Sequence, residues 1–573
     1  MCGIAGSIFQ QYPSINLTDA VVAQAHRGPD HTAVVRYPNA HLGHNRLSII
    51  DLDAHANQPF SDPSDRYVMV FNGEIYNYLE IRDELRTGYT FRTESDTEVL
   101  LSAYLKWGAA CLDRLNGMFA FAIWDRHTRT LFAARDRFGV KPFYYTHTPG
   151  ALAFASEIKT LWAGGVPRRP RATVWANYLM YGSYGAPADS FWSGIEQLPA
   201  GHCLKYAPST DTIQIQRWYN FEQRVSWPEH RMSEDELIER YEALLKDSIA
   251  LRFRADVPVG FNVSGGLDSS ALLALVNQTA GGENINAYTF YTGDERYDEL
   301  PWVNQLLAKT ANPLVKVKFE TSEVASMAAY VTSHQDEPYG GLPTLAYANL
   351  FRQARRDSVI VLLDGQGMDE QWAGYDYYQR RTEATIQGIG HSPFRPEVLA
   401  APIRALATRP QYPQPFDNWT QNTQYRDLFY TKIPRALRFN DRISMAASTE
   451  LREPFLDYRL VELAFSQPLN HKIRNGQGKY VLRRLVDRLL GKNLAFAPKR
   501  PLQTPQREWL QNELAPLVNQ KLDALLQSPY AYWFDADAVR AEWRAYRGGN
   551  TDSSFHIWQW MSCADYLTEV VPV

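Results

Sequence analysis

Cysteine is scarce in this chain of 573 residues, with four in all, at positions 2, 111, 203 and 563. So few cysteines exclude a dense disulfide framework, and the lack of CxxC spacing argues against a structural zinc site. The longest aliphatic run, 359–363, is far shorter than the roughly 20 residues that cross a bilayer. No basic segment followed by an apolar stretch marks a signal peptide, so we expect a cytoplasmic protein without a membrane partner.

Neither sign of charge dominates the chain. It has 59 Lys and Arg against 63 Asp and Glu, a net charge of −4, which gives no electrostatic reason to expect a nucleic-acid partner. Gly and Pro number 34 and 33, too few for low complexity, and 13% aromatic residues exclude intrinsic disorder. At 573 residues, the chain is long enough to form more than one well-packed domain.

Residues 2–207 have the pattern of a β-rich domain. The apolar stretch 67–71 predicts a short strand that ends at Asn72-Gly73. Two pairs of strands, 118–124 with 130–134 and 143–145 with 152–155, predict hairpins. Helical spacing over 96–107 predicts a helix among them.

Residues 208–232 carry polar stretches and Pro228, and predict a linker. Ser233 then begins a helix, with Glu236 completing a capping box. From residue 257 strands alternate with helices, which favours a parallel α/β sheet within a domain at 233–520. We expect the aromatic segment 521–573 to be a C-terminal extension packed on that domain.

Cys2 follows the initiator methionine directly. Removal of Met1 would place an α-amino group, with a pKa of about 8, beside the thiol of the same residue. One residue then supplies both a nucleophile and a base. The alternative is that Cys2 is a small buried hydrophobe.

Four further segments decide between these interpretations. They are Arg27-Gly28-Pro29-Asp30, Arg46-Leu47-Ser48-Ile49-Ile50-Asp51, Asn72-Gly73-Glu74 and Ser95-Asp96. In order and spacing they resemble the glutaminase domain of the class II glutamine amidotransferases, most closely that of the asparagine synthetase B family. The resemblance implies an α+β N-terminal nucleophile (Ntn) fold of the four-layer antiparallel β-sandwich type.

The resemblance also implies roles for the residues. Arg46 would bind the α-carboxylate of glutamine and Asp96 its α-ammonium, while Asn72 and Gly73 would stabilise the oxyanion formed when Cys2 attacks. Taken alone, Asn72-Gly73 is usually only a hairpin turn, and Arg46 a surface charge. The implied glutamine-binding set is Arg46, Leu47, Ser48, Ile49, Ile50, Asn72, Gly73, Glu74 and Asp96.

A second motif, Ser264-Gly265-Gly266-Leu267-Asp268-Ser269-Ser270, follows a predicted strand and begins a helix. Backbone amides in such a turn form an anion-binding cradle. The motif resembles the pyrophosphate loop of the ATP pyrophosphatases, which implies ATP and Mg2+, the metal on Asp268 and Asp369. Lys499-Arg500 would lie in a loop able to close over the site. The implied ATP-binding set is Asn262, Val263, Ser264, Gly265, Gly266, Leu267, Asp268, Ser269, Thr292, Asp364, Gly365 and Lys479.

The second nucleotide loop departs from the family pattern. Asp364 replaces a serine, and Gln366 replaces a glutamate that handles the proton of ammonia in the family. Glutamine cannot act as a base. In the expected acceptor and adenylate site, made of Gln366, Asp369 and Glu370, the proton would then pass to Glu370 or to another group.

Together these patterns predict a glutamine-dependent, ATP-dependent asparagine synthetase that amidates aspartate through an acyl-adenylate. An apolar passage would carry ammonia between the sites, and a homodimer is one expected assembly. Three alternatives stay open: an amidotransferase acting on a different carboxylate, a lactam synthetase or peptide cyclase, and a catalytically inactive nucleotide-binding regulator.

Overall fold

The computed structural model describes residues 2–225, 232–278, 282–380, 392–497, 504–550, 553–568 and 570. Lys499 and Arg500, predicted to close over the nucleotide, lie outside this part of the chain, as does Pro228 of the predicted linker.

The first domain contains two antiparallel sheets. Their strand orders are β10-β8-β9-β1-β3-β2 and β12-β11-β7-β6-β5-β4, so the strand that begins with Cys2 lies inside the first sheet. The strands are β1 (Cys2–Phe9), β2 (His31–Tyr37), β3 (Ala40–Arg46), β4 (Phe60–Ser61), β5 (Tyr67–Ile75), β6 (Gly117–Asp125), β7 (Thr130–Arg135), β8 (Tyr144–Thr148), β9 (Ala151–Ala155), β10 (Glu196–Gln197), β11 (His202–Ala207) and β12 (Thr212–Arg217).

Helices cover the outer faces of both sheets. Ile4 and Val70 belong to the core between the sheets, whereas Phe71 packs outward with Val99 of a covering helix, because alternate residues of a strand point to opposite faces. This arrangement confirms the predicted four-layer antiparallel fold. The helices are α1 (Leu17–Ala23), α2 (Tyr78–Leu85), α3 (Asp96–Trp107), α4 (Ile158–Ala163), α5 (Ala172–Tyr181) and α6 (Phe221–Val225).

Two local predictions about this domain need correction. The strand at residue 67 does not end at Asn72-Gly73 but continues to Ile75, because β6 pairs with it along its whole length. The predicted linker 208–232 contains β12, which pairs with β11 in antiparallel register. Apolar residues, among them Ile213 and Ile215, alternate with polar ones along β12. Both predicted hairpins, β6–β7 and β8–β9, are present.

The second domain is built on a parallel sheet of order β15-β14-β13-β16-β17. Ser233 caps its first helix and forms the predicted capping box with Glu236. The strands are β13 (Val259–Asn262), β14 (Ala287–Tyr291), β15 (Leu314–Lys318), β16 (Val361–Leu363) and β17 (Glu450–Arg452).

Helices cover this sheet and form the rest of the domain. They are α7 (Glu234–Arg252), α8 (Leu267–Val276), α9 (Leu300–Thr310), α10 (Val324–Gln335), α11 (Gly341–Arg356), α12 (Met368–Gln371), α13 (Asp376–Arg380), α14 (Ala401–Leu406), α15 (Trp419–Arg426), α16 (Lys432–Ala446), α17 (Tyr458–Ser466), α18 (Leu469–Lys472), α19 (Tyr480–Leu490), α20 (Lys492–Ala495), α21 (Gln506–Gln511), α22 (Ala515–Gln527), α23 (Ala536–Arg547) and α24 (Phe555–Leu567). A π-helical turn, Asp427–Thr431, precedes α16.

The predicted boundary at residue 520 falls inside α22, so the C-terminal segment is not a separate extension. Its last helix, α24, contacts both domains. Trp558 Nε1 donates to the Tyr339 carbonyl oxygen at 3.0 Å, and Gln559 Nε2 donates to that of Tyr178, in the first domain, at 2.7 Å. Among the described residues, no helix has the length and apolar character that crossing a membrane requires.

Candidate functional sites

Cys2 lies at the start of β1, directly opposite Arg46 of β3. Its backbone nitrogen donates to Asn72 Oδ1 at 3.0 Å. The residue is 7% exposed, and burial raises the pKa of its thiol, although a hydrogen bond from the Leu47 backbone and the charge of Arg46 act in the opposite direction. A thiol whose pKa is raised in this way needs a base to become a nucleophile.

Asn72 and Gly73 lie on β5 beside Cys2. Asn72 is fully buried, and its Nδ2 is a donor without a hydrogen-bond partner in the described structure. A Cβ atom on Gly73 would lie 2.1 Å from the Met118 carbonyl oxygen, so only glycine fits between β5 and β6. An unpaired buried donor next to a thiol is the feature that an oxyanion site requires.

Arg46 and Asp96 provide opposite charges near Cys2. The position of the Arg46 side chain is fixed by hydrogen bonds from its Nη1 to the Asp53 carbonyl oxygen and to Asn57 Oδ1, both at 2.8 Å. Asp96 Oδ2 accepts a hydrogen bond from the Ile75 backbone at 2.9 Å, and burial raises the pKa of Asp96 to about 6. These fixed charges can recognise the α-carboxylate and α-ammonium of an amino acid.

The loop after Arg46 is fixed at both ends. The Ser48 backbone donates to Asp30 Oδ2 at 2.8 Å, which explains the position of Asp30 in the Arg-Gly-Pro-Asp motif. The Ile49 carbonyl oxygen accepts from the Asp256 backbone at 2.8 Å, so this loop also contacts the second domain. Leu47, Ile49 and Ile50 are all buried.

Glu74 belongs to a buried charged cluster at the contact between the domains. Burial raises its pKa well above the ordinary value, and the charge of Glu450 adds to the effect. Arg452 Nη2 lies 3.7 Å from Glu74 Oε1, and Arg452 Nε donates to Glu450 Oε1. The contact here is charged, because β17 of the second domain ends beside β5 of the first.

The second site begins where β13 ends. Gly265 has a φ of +68°, and a Cβ atom there would lie 2.7 Å from the backbone nitrogen of Val303, so this turn requires glycine. Gly266 caps α8, and Ser264 Oγ accepts from the Gly266 backbone at 3.3 Å. The turn and the helix N-terminus form the predicted anion cradle.

Lys479 joins two carboxylates across this site. Its Nζ lies 2.6 Å from Asp268 Oδ2 and 2.9 Å from Asp369 Oδ1. Burial opposes the charge of Lys479, but these two carboxylates raise its pKa above the ordinary value. The side chain is only 5% exposed, so Lys479 is a fixed cation rather than a surface lysine.

The second nucleotide loop lies beside this cation. Glu370 is 3% exposed; burial, helped by the charge of Asp369, raises its pKa to about 7, and Tyr375 donates to Glu370 Oε1 at 2.8 Å. Burial also raises the pKa of Asp364 to about 6. A group that titrates near pH 7 suits proton transfer at neutral pH.

One cavity of about 740 Å³ brings these groups together. Val263 and Thr292 do not line it: Val263 is buried in the core, and Thr292 donates through N and Oγ1 to Asp298. Trp302 and Tyr347 line it without having been predicted, since isolated aromatic residues carry no motif. The predicted residues in its wall are Asn262, Ser264, Gly265, Gly266, Leu267, Asp268, Ser269, Asp364, Gly365, Gln366, Asp369, Glu370 and Lys479.

Comparison with known proteins matches each of the two domains to a known family. Residues 1–219 match the family described as "Glutamine amidotransferase domain", and residues 240–568 match the family described as "Asparagine synthase". The second match extends well past Lys499-Arg500, the last of the sequence motifs.

Individual relatives agree along most of the chain. It is 30% identical to "Asparagine synthetase [glutamine-hydrolyzing] 3" of Bacillus subtilis, covering 87% of this chain and 86% of the relative. It is 27% identical to "Asparagine synthetase [glutamine-hydrolyzing] 1" of the same organism, over 90% and 88% of the two chains. It is also 27% identical to "Amidase chyE" of Penicillium rubens, over 84% of each chain.

The two domains and their sites define an Ntn-type glutamine amidotransferase joined to an ATP-dependent ligase. The matches to known proteins extend over both domains and identify a family within this class. The chain belongs to the asparagine synthetase family and is a glutamine-hydrolysing, ATP-dependent ligase.

Proposed function

We propose that this enzyme makes asparagine from aspartate, with glutamine as the nitrogen donor and ATP as the activating substrate. The observation that carries the proposal is Lys479 held between Asp268 and Asp369 in the same cavity as Glu370. A fixed cation beside an anion cradle suits the phosphates of ATP, and a buried acid with a pKa of about 7 suits proton transfer from ammonia.

Glutamine hydrolysis would occur at Cys2. After removal of Met1, the α-amine takes the thiol proton and the sulfur attacks the side-chain amide carbon. Asn72 Nδ2 and the Gly73 backbone N–H stabilise the oxyanion. The C–N bond then breaks, the nitrogen leaves as ammonia with the returned proton, and water hydrolyses the thioester to glutamate.

Amide synthesis would occur at the second site. A carboxylate oxygen of aspartate attacks the α-phosphorus of ATP, and pyrophosphate leaves against Lys479 and the Ser264–Ser269 loop. Ammonia attacks the carbonyl carbon of the acyl-adenylate, Glu370 accepts the proton, and AMP leaves. Gln366 stands where the family has a glutamate, and its amide cannot accept that proton. Glu370 therefore takes the role of the missing glutamate.

Mg2+ fits the donor set of this site. Asp268 and Asp369 converge on one cation, Lys479 Nζ, and their carboxylate oxygens are the ligands that this ion prefers. When bound there, Mg2+ would neutralise charge on the phosphate oxygens of ATP.

A second candidate function is amidation of another carboxylate. Gln366 in the cavity wall and the similarity to "Amidase chyE" both favour it. The deciding experiment supplies ATP, Mg2+ and glutamine with aspartate, glutamate and larger carboxylates in turn, and measures AMP and amide. Amide from aspartate at the highest kcat/KM supports asparagine synthesis, whereas no amide from aspartate and a good yield from another acid rejects it. Absence of ATP–pyrophosphate exchange with every acid would indicate an inactive nucleotide-binding regulator.

A further inference from the structure

A second cavity, of about 600 Å³, lies between helices α15, α17 and α18 of the synthetase domain. It shares no lining residue with the nucleotide cavity. Its wall is mainly polar and includes Thr420, Gln421, Gln424, His471 and Lys472. Neither the predicted motifs nor the proposed reaction uses these side chains.

Among the described residues of this wall, Lys472 is the one cationic side chain, because burial lowers the pKa of His471 and favours the neutral imidazole. It is 1% exposed, and its Nζ donates to the Phe465 carbonyl oxygen at 2.9 Å and to Gln424 Oε1 at 3.1 Å. Both partners are neutral, and over the described ranges no carboxylate lies within ion-pair distance of Lys472. Burial lowers the pKa of Lys472 to about 7.

A buried ammonium without a counter-charge is unfavourable, and an anion beside it removes the penalty. Two of the three donors of the ammonium bond to neutral oxygens, and the group also lies 4.9 Å from the centre of the Phe465 ring, which carries no net charge to neutralise it. His471 adds a buried Nδ1 that has no hydrogen-bond partner in the described parts of the chain. The cavity therefore offers one cation and neutral hydrogen-bonding groups.

This charge suits a carboxylate better than a phosphate. Phosphate dianions are usually bound by several cations or by free helix N-termini. Here the N-terminus of α15 is already occupied, since Asn418 Oδ1 accepts from the backbones of Thr420 and Gln421 at 2.8 and 3.3 Å. A single ammonium matches a single negative charge.

We propose that this cavity is a binding site for a small monocarboxylate, whose charge pairs with Lys472. The occupant would also act on the nucleotide loop through Gln424, which is fully buried. Gln424 Oε1 accepts from Lys472, while its Nε2 donates to the carbonyl oxygens of Glu370 and Gln371 at 2.6 and 2.8 Å. A carboxylate that draws Lys472 away from Gln424 would alter the hydrogen bonds that Gln424 donates to α12, the helix that carries Asp369 and Glu370. The effect of the carboxylate on amide synthesis rests on the proposed function.

The test uses the full-length protein with acetate, butyrate and benzoate as probes, and inorganic phosphate as the competing anion. Calorimetry should give saturable binding of at least one carboxylate, weakened ten-fold or more in Lys472→Met and unchanged in Lys309→Met, which removes an exposed lysine. Saturating ATP should not displace the carboxylate, because the cavities share no residue. Binding of phosphate alone, binding of none of the probes, equal binding by Lys472→Met, or displacement by ATP would each overturn the proposal.

Hydrogen–deuterium exchange of the wild type tests the site even if Lys472→Met does not fold. The carboxylate should protect segments 419–426 and 465–473 and change exchange in 368–371. Protection confined to 264–269 and 364–370 would assign the probe to the nucleotide cavity and overturn the proposal. None of these readouts depends on amide synthesis, so they stand or fall separately from the proposed function.

Discussion

Arg27 of the first domain and Asp441 of the second form a buried bidentate pair, with nitrogen–oxygen distances of 2.9 and 3.2 Å. The same guanidinium donates through Nε to the Cys2 carbonyl oxygen at 3.1 Å. One side chain therefore connects the backbone of the candidate nucleophile with helix α16 of the synthetase domain. Movement of α16 can therefore be transmitted to Cys2 through Arg27.

Asp441→Ala should destabilise the protein and slow glutamine hydrolysis. Removing one partner of a buried ion pair typically costs about 3–5 kcal/mol. Glu157 Oε1 lies 2.8 Å from Arg27 Nη1 and still compensates part of its charge, so we expect a loss near the lower end of this range. Urea unfolding followed by tryptophan fluorescence gives the loss in stability. Arg114→Ala is the control, because its pair with Glu84 is exposed and should contribute at most about 1 kcal/mol. Equal losses in the two variants would remove the special role of the Arg27–Asp441 pair.

Cys2→Ala should abolish glutamine hydrolysis and glutamine-dependent amide synthesis. Synthesis supported by ammonia should continue, because the second site has its own residues. Release of glutamate and formation of amide are measured separately. Cys111→Ala, which changes a buried cysteine in the core beneath α3, serves as the control and should keep both activities. Hydrolysis at the normal rate in Cys2→Ala would exclude the thiol as the nucleophile.

Lys479→Met should remove ATP–pyrophosphate exchange while glutamine hydrolysis continues. The variant loses the cation that neutralises the departing phosphates, and one such contact contributes about 3 kcal/mol to the transition state, or a factor of roughly 10²–10³ in kcat. Lys492→Met removes an exposed lysine of the same region and should behave like the wild type. Normal exchange in Lys479→Met would place the phosphates elsewhere.

Amide formation should depend on pH through Glu370. Because the pKa of this carboxyl is raised to about 7, the base is ionised only above that pH. At a fixed concentration of unprotonated ammonia, kcat should rise about ten-fold per pH unit below 7 and then level off. Glu370→Gln should lower the rate by a factor of about 10²–10⁴ and remove this dependence, whereas exposed Glu239→Gln should leave both unchanged. A flat wild-type profile would contradict the assignment.

Gln366→Glu tests the choice of acceptor. With aspartate as acceptor, the new carboxylate restores the family residue and should keep or raise kcat/KM in the ammonia-supported reaction. With a different acceptor, the new carboxylate would lie beside the carboxylate of the acceptor. At 4 Å and an effective dielectric near 20 their repulsion is about 4 kcal/mol, partly offset by Mg2+. The KM for that acceptor should therefore rise. The measurement compares kcat/KM for aspartate and for the best other acid in both proteins. A lower value for aspartate in Gln366→Glu would contradict its role as acceptor.

Sequence motifs predicted most of the residues that the structure brings together in the two candidate sites, because anion cradles and oxyanion donors require particular residues at short spacing. Ser264–Ser269 is an example: a glycine turn between a strand and a helix is readable without tertiary contacts. The Arg27–Asp441 pair is not, since its members are 414 positions apart and a single sequence does not say which buried charges meet.

The errors have the same origin. Asn72-Gly73 has the chemistry of a hairpin turn, yet pairing with β6 extends the strand through both residues, and tertiary context overrides local preference. Strand β12 was missed because an edge strand with polar residues facing solvent resembles a linker. The charged contact of Glu74 with Arg452 is a different case: no sequence pattern predicts it, because it depends on how the two domains meet.

The position of Cys2 inside the first sheet has a consequence for how this protein can change. Strand β1 is paired on both sides, with Cys2 opposite Arg46 in one direction and Ala5 opposite Ala155 in the other. Side chains alternate along a strand, so inserting or deleting one residue between these anchor points would turn the thiol to the opposite face. The direction of the thiol thus depends on the parity of the residue count between these points as much as on residue identity. This segment can accept exchanges of one residue for another of similar size, but it cannot gain or lose a single residue.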